Sequence, residues 1–295
     1  MHPTPSFIFF GTPDVASETL EILKGYGYIP QLIVTAPDRP VGRHFVMTPS
    51  PTKVWAIENN IPYIQPEKIT DEVMEILRHP PTPSERGGGS VDLFIVVAYG
   101  KILPQALIDV PKYGTLNIHY SLLPRWRGAS PVEAAILHGD YETGVSIQKM
   151  VFKLDAGPVI AEQKLVIDQH DTTQTLRGKL IPMGAKLLAE EILTRFHQLQ
   201  NTPRPPLKEG EPQDESLATH CGKIKKEDAL ITLQDDPQVL WNKYRAYHGW
   251  PCIYFLDTEG KRVKITQARF VHGAFIPELV IPEGKKELPW TEYDK

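Results

Sequence analysis

Short apolar runs alternate with longer amphipathic stretches along the first half of the chain. The runs at 7–10, 31–35, 93–98 and 115–118 have the length and composition of buried strands. Between the first two lies a helical pattern that begins at Thr12-Pro13-Asp14, where Thr suits a helix N-cap and Pro suits the first helical position. Alternation of this kind predicts a parallel sheet with helices on both faces.

A change in the pattern near residue 200 predicts two domains. Residues 1–200 read as one α/β domain, and 213–295 as a small second domain with several short strand patterns. Prolines crowd the segment 201–212 between them, which we interpret as a semi-rigid linker. A second Pro- and Gly-rich stretch, at 79–90, predicts an exposed loop without a catalytic role.

Composition and charge narrow the class of protein. The chain has 41% hydrophobic and 23% charged residues, which is typical of globular domains. No apolar run approaches the roughly 20 residues of a membrane span, and the start of the chain lacks a signal-peptide pattern, so a cytoplasmic protein is predicted. Cys221 and Cys252 lie outside any CxxC pair or zinc-ligand spacing and are predicted to be free thiols. The net charge of −4 requires any nucleic-acid contact to be local.

The stretch at 116–128 holds the densest set of candidate catalytic residues. Asn117 and His119 are two positions apart, so their side chains share one face of a strand that persists to His119. An amide beside an imidazole can bind a carbonyl oxygen and handle a proton. The pair also stands at the end of a predicted parallel strand, where open α/β sheets bind ligands. Taken alone, Asn-x-His is more often a structural hydrogen-bonded pair.

Asp155 is the candidate carboxylate. It lies at a tight turn, followed by Ala156-Gly157-Pro158, where a carboxylate often caps the turn itself. The alternative is that Asp155 reaches His119 and orients or charges its ring.

The first strand is not followed by the GxGxxG motif of dinucleotide-binding proteins, and this makes a dinucleotide-dependent dehydrogenase a less favoured interpretation.

The long loop at 36–51 is the candidate nucleic-acid contact. Prolines punctuate it, and its basic residues are Arg39, Arg43 and His44. One interpretation is a solvated surface loop; the other is a flexible arm that contacts phosphates or bases.

With these residues in view, the chain resembles the folate-dependent formyltransferases. The resemblance rests on Asn117-Ile118-His119, on the following Ser-Leu-Leu-Pro-Arg-Trp-Arg-Gly at 121–128, and on Asp155-Ala156-Gly157. The segments 10–14, 37–43, 97–100 and 125–129, together with Trp250-Pro251, are similar to the members of the family that act on tRNA. The resemblance covers nearly the whole chain.

The resemblance implies a fold and a reaction. The fold would be a Rossmann-like parallel-sheet domain followed by a small, shortened OB-like β-barrel, a fold that commonly binds oligonucleotides. The reaction would be transfer of a formyl group from 10-formyltetrahydrofolate to the amino group of methionyl initiator tRNA, by a monomer without a metal. The implied catalytic residues are Asn117, His119 and Asp155. The implied folate contacts are Ser121, Leu122, Leu123, Pro124 and Tyr99, and the implied tRNA contacts are Arg39, Arg43 and His44.

Three departures from the family pattern stand out. Tyr120 occupies a position that is usually Gly, Ala or Pro, so a narrower turn before the folate site is expected. The loop at 79–90 looks inserted, and the second domain is short.

Other acceptors remain open on the sequence alone. A nucleotide-sugar formyltransferase, with a small amine as acceptor, is favoured by the short second domain and the acidic balance and opposed by the arm at 37–43. A formyltetrahydrofolate hydrolase, with water as acceptor, typically carries an N-terminal regulatory domain, whereas this chain starts with the strand at 7–10. A non-catalytic binder would be expected to lack part of the trio.

Overall fold

The computed structural model describes residues 5–42, 45–80, 91–194 and 210–293. The chain divides into two compact units, each assembled from separate segments. Unit 1 comprises Met1–Arg127, Gly144–Gln163 and Leu180–Ala218, and unit 2 comprises Gly128–Thr143, Lys164–Lys179 and Thr219–Lys295. The domain boundaries predicted from the sequence stay predictions, since most of the proposed linker at 201–212 lies outside the described residues.

Seven strands form the main sheet. Their bounds are β1 Phe7–Gly11, β2 Leu32–Val34, β5 Tyr63–Ile64, β6 Leu93–Val97, β7 Thr115–His119, β9 Glu142–Lys149 and β10 Val159–Val166. The order across the sheet is β10-β9-β7-β6-β1-β2-β5. The five strands from β7 to β5 are parallel, as the alternating pattern predicted, but β9 runs antiparallel to β7.

The remaining elements of the N-terminal half are helices and a small hairpin. Their bounds are α1 Asp14–Gly25, β3 Arg39–Val41, β4 Val46–Thr48, α2 Pro51–Glu58, α3 Asp71–Arg78, α4 Gln105–Ile108, β8 Arg127–Gly128 and α5 Pro131–Leu137. The helix between β7 and β9 has the pattern of a parallel crossover, so the sequence gives no sign that β9 reverses direction.

The core of unit 1 explains why its strands are continuous apolar runs. All five residues of β1 and all five of β6 are buried, because helices cover a parallel sheet on both faces. Phe10 lies 5.1 Å from Phe94 between ring centroids, and Tyr99 packs edge-on against Phe10 at 5.5 Å. This packing fixes the positions at which the strands end, and those ends carry the candidate site.

Local hydrogen bonds set the helix boundaries. Ser50 and Thr70 accept backbone N–H groups at the starts of α2 and α3, as N-cap residues do. At α1 the predicted capping was wrong by one residue. Pro13 is the N-cap, while the Thr12 hydroxyl donates to the carbonyl of Tyr99. Thr12 therefore joins the ends of β1 and β6 instead of capping the helix.

Unit 2 contains a four-stranded antiparallel sheet in the order β12-β13-β14-β15. The bounds after β10 are α6 Thr173–Leu187, β11 His220–Cys221, α7 Pro237–Ala246, β12 Tyr254–Leu256, β13 Arg262–Val271, β14 Ala274–Pro282, β15 Leu288–Pro289 and α8 Trp290–Tyr293. Trp241 of α7 stacks on Tyr244 and on Phe270 of β13. This small β unit after a Rossmann-like sheet confirms the predicted fold class.

The helix α6 continues through Pro182 and passes into a π-helix at Leu188–Leu193. Neither Cys221 nor Cys252 is part of a disulfide bond in the described part of the chain. Over the described ranges, no helix is long and apolar enough to cross a membrane.

Candidate active site

His119 and Asp155 come together at the carboxyl end of β7. The Nδ1 atom of His119 lies 3.7 Å from Oδ2 of Asp155, and the two side chains are only 6% and 12% exposed. The Nε2 atom of His119 lies 2.9 Å from the backbone oxygen of Trp126. Nε2 of His119 is thus within hydrogen-bond distance of a backbone oxygen, and Nδ1 lies on the side of the Asp155 carboxylate.

Asn117 lies on the same face of β7 as His119, because it is two residues away along the strand. Across the antiparallel ladder, Asn117 is opposite Gln148 and His119 is opposite Ser146. The Asn117 side chain is half-buried, whereas His119 is buried. One face of the β7–β9 pair therefore presents an amide and an imidazole next to two further polar groups.

Gln148 is a site residue that the sequence reasoning missed. Its Nε2 atom donates to Oδ1 of Asp155 over 2.8 Å, and the side chain is 1% exposed. Its Oε1 atom is buried without a hydrogen-bond partner in the described part of the protein. The available signal was that the polar residues Ser146 and Gln148 alternate with the apolar residues Val145 and Ile147.

The turn at 121–124 is held rigidly beside His119. Ser146 donates to the backbone oxygen of Ser121 over 2.8 Å and accepts from the backbone N–H of Leu123 over 3.0 Å. The hydroxyl of Ser121 donates to the backbone oxygen of Arg125. Ser121 and Leu123 are buried, whereas Leu122 and Pro124 are half-buried. The predicted folate contacts of this turn stay a prediction.

Two other residues near the turn have defined surroundings. The ring of Tyr99 is 3% exposed in the core of unit 1, and burial raises the pKa of its hydroxyl to about 12. The structure thus places that ring in the core cluster of unit 1, and its folate contact stays a prediction. The ring of Tyr120 lies towards Gly184 of α6, where an added Cβ would be 3.5 Å from its Cε1 atom.

The arm at 36–51 contains a short hairpin of β3 and β4. All six of its strand residues are exposed, and Phe45 at the bend is 77% exposed. Arg39 forms an ion pair with Glu67 at 2.9 Å. Arg43 and His44 lie outside the described residues, so their predicted tRNA contacts, like that of Arg39, stay predictions.

A buried arginine follows Trp126. The side chain of Arg127 is 0% exposed, and it donates to both carboxylate oxygens of Glu215 at 3.0 and 3.1 Å. Lys153 donates to the same carboxylate over 2.8 Å. The hydrogen bonds from Arg127 and Lys153 lower the pKa of Glu215 to about 2. The carboxylate is therefore charged at neutral pH and neutralises the buried guanidinium.

Two family models match this chain. A family model described as "Formyl transferase" matches residues 7–192, and one described as "Formyl transferase, C-terminal domain" matches 223–282. The chain belongs to the formyl transferase family, and it is a formyl-transferring enzyme.

The names of individual relatives are more specific than the descriptions of the family models. The methionyl-tRNA formyltransferase of Methylobacillus flagellatus is 38% identical over 92% of this chain and 83% of its own length. That of Staphylococcus epidermidis is 38% identical over 97% of this chain and 94% of its own length. These matches confirm the resemblance noted in the sequence.

Solved structures share the fold. A methionyl-tRNA formyltransferase from Clostridium thermocellum is similar with a TM-score of 0.57 and 15% identity, covering 94% of this chain and 98% of the other. A sugar N-formyltransferase from Shewanella is similar with a TM-score of 0.63 and 14% identity, covering 90% and 98%. At these identities the likeness shows the fold alone and does not discriminate between acceptors.

Proposed function

We propose that the protein transfers a formyl group from 10-formyltetrahydrofolate to the amino group of methionyl initiator tRNA. The observation that carries this proposal is the meeting of His119 and Asp155, on the sheet face of Asn117, at the carboxyl end of β7. The relatives at 38% identity favour methionyl-tRNA as the acceptor.

Asn117 and His119 stabilise the oxyanion in this proposal. The amine attacks the formyl carbon, the carbonyl oxygen becomes an oxyanion, and N10 of the folate then leaves with a proton while the amine loses one. Asn117 Nδ2 and protonated His119 are the donors to that oxyanion. Donors in comparable sites are each worth about 2.7–4 kcal/mol in the transition state.

Asp155 handles the proton in the same proposal. The 3.7 Å between His119 Nδ1 and Asp155 Oδ2 exceeds a hydrogen bond, and a third polar group that lies beside the pair can contact both atoms. Asp155 can then accept the proton of the attacking amine, directly or through water. Gln148 holds the other carboxylate oxygen, Oδ1, by a hydrogen bond of 2.8 Å and so orients the carboxylate of Asp155.

The folate co-substrate is assigned to the turn at 121–124. Ser146 anchors two backbone groups of this turn, so its conformation is set before the ligand arrives. Leu122 and Pro124, which are half-buried, supply apolar surface directly after His119. Rigid turns of this kind position a ligand at low entropic cost.

A cationic and aromatic surface in unit 2 supports RNA as the partner. Lys226, Arg262 and Lys264 line one concave site together with Trp250 and Tyr254. The guanidinium of Arg262 lies 4.5 Å from the centre of the Tyr254 ring, and Trp250 is 57% exposed. Cations bind phosphates and exposed aromatic rings stack on bases. Such a local surface provides RNA contacts despite the net charge of −4.

The acceptor can be tested directly. Purified protein is incubated with 10-formyltetrahydrofolate and methionyl initiator tRNA, an amino-sugar nucleotide, or buffer alone. We expect formylmethionyl-tRNA as the main product, with methionyl elongator tRNA as the matched control acceptor. Formylation of the amino sugar alone, or release of formate at the same rate without any acceptor, would contradict the proposal.

Cytoplasmic location and monomeric state stay predictions from the sequence.

A further inference from the structure

We infer that Gln213 is a positioning residue that holds His119 and Asp155 in their catalytic arrangement. It lies between the two family matches, which end at 192 and begin again at 223. The inference rests on the catalytic roles proposed above for His119 and Asp155. All the residues involved belong to unit 1.

The side-chain amide of Gln213 makes hydrogen bonds within this part of the site at every donor and acceptor position. Its Nε2 atom donates to the backbone oxygens of Asp155, over 2.9 Å, and Gly157, over 2.6 Å. Its Oε1 atom accepts from Nε and Nη2 of Arg127 over 3.0 and 2.6 Å. Both protons and both acceptor positions of the amide are occupied, so the amide has one favourable orientation.

The backbone that Gln213 holds is in a conformation that needs support. Asp155 has φ of 47°, in the left-handed region that favours glycine and is uncommon for a residue with a Cβ. The Gln213 amide binds the carbonyl of Asp155 itself and that of Gly157 beyond it. Without this donor, the turn is free to relax towards ordinary dihedral angles, which would move the carboxylate away from His119.

The other end of the Gln213 amide reaches the His119 side of the site. Trp126, which also has a positive φ of 60°, offers its backbone oxygen to Nε2 of His119. The next residue is Arg127, whose buried guanidinium binds Gln213 and Glu215. The Gln213 amide therefore connects two parts of the site. One is the backbone carbonyl of Asp155, and the other is Arg127, which directly follows the residue whose backbone oxygen faces His119.

A substitution by glutamate separates these two connections. Gln213→Glu keeps the length of the side chain and an acceptor for Arg127, but it replaces the Nε2 donor with an oxygen that faces two carbonyl oxygens. Gln213→Ala removes both connections. Gln238→Glu is the matched control, because Gln238 is exposed in α7 of unit 2 and donates its amide to Asn242.

The experiment measures kcat and both KM values for formyl transfer, together with the melting temperature. We expect kcat to fall about 10- to 100-fold in Gln213→Glu and Gln213→Ala, since a displacement near 1 Å costs up to about 100-fold. The KM for folate and for tRNA should stay within about two-fold of wild type, because neither substrate touches a residue that only positions others. Gln238→Glu should behave as wild type.

The outcomes discriminate between this inference and the proposed function. If wild-type protein transfers no formyl group, the proposed function fails and the inference with it. An active wild type with normal kcat in Gln213→Glu overturns the inference alone. So does a loss of kcat in Gln213→Glu that comes with an equal loss of substrate binding and a large drop in melting temperature, since that pattern marks a purely structural residue.

Discussion

Asn117→Ala should lower kcat for formyl transfer by about 100- to 1,000-fold, the loss seen when one oxyanion donor is removed. The amide stands on the same face of β7 as His119, opposite Gln148, and its truncation leaves the backbone ladder intact. The KM values for folate and tRNA should change little, because the lost interaction exists only in the transition state. Steady-state kinetics with both substrates measure this.

The control for this variant is Asn59→Ala. Asn59 donates its amide to the backbone oxygen of Trp55 at the end of α2, so the variant removes a comparable hydrogen bond elsewhere in unit 1. We expect nearly normal kcat for it. Activity within about three-fold of wild type in Asn117→Ala would remove the amide from the mechanism, since a donor to an oxyanion is worth far more.

Gly157→Ala should abolish most activity by a different route. A Cβ at this position would overlap the backbone oxygen of Lys149 and would lie 2.9 Å from its carbonyl carbon. The turn therefore has to separate from the end of β9, and this moves Asp155 with it. We expect kcat/KM to fall at least about 100-fold, with a lower melting temperature, in the same transfer assay.

Gly178→Ala is the matched control for that substitution. Gly178 lies within α6, and an added Cβ there meets nothing within 4 Å. Alanine in a helix interior is more stable than glycine by about 0.5–1 kcal/mol, so this variant should keep its activity and melt slightly higher. Equal activity in Gly157→Ala and Gly178→Ala would mean that the turn adapts without disturbing Asp155.

The fold could be predicted from the sequence wherever burial determines the pattern of apolar residues. Strands covered on both faces become continuous apolar runs, and β1 and β6 show this directly. The direction of β9 was not accessible, because α5 ahead of it has the pattern of a crossover helix. The role of Thr12 was also missed, since its hydroxyl bonds the distant backbone of Tyr99.

The site could be predicted only in part, because the sequence indicates local strand geometry but not the conformation of turns. Period-two geometry placed Asn117 and His119 on one face of a strand. The approach of Asp155 to His119 depends on a turn with a positive φ at Asp155, and sequence spacing does not determine that. Gln148 and Gln213 were missed, because an isolated glutamine gives no signal until a structure shows which atoms it contacts.

The backbone on both sides of His119 shows which contacts hold the proposed catalytic residues in place. Asp155 and Trp126 both have positive φ values, so the surrounding contacts must hold the backbone on both sides of His119. Arg127 and its two partners supply these contacts from a buried position. In the proposed mechanism, Arg127 and Gln213 therefore contribute by holding the backbone around His119 and Asp155.

The most direct test of the account is the single-turnover rate of formyl transfer in Asp155→Asn. The change keeps the size of the side chain and removes its ability to take a proton, so the rate should fall at least about 100-fold. Binding of 10-formyltetrahydrofolate, measured on the same sample, should remain normal. A single-turnover rate close to that of wild type would contradict the claim that this carboxylate works with Asn117 and His119 on one carbonyl group.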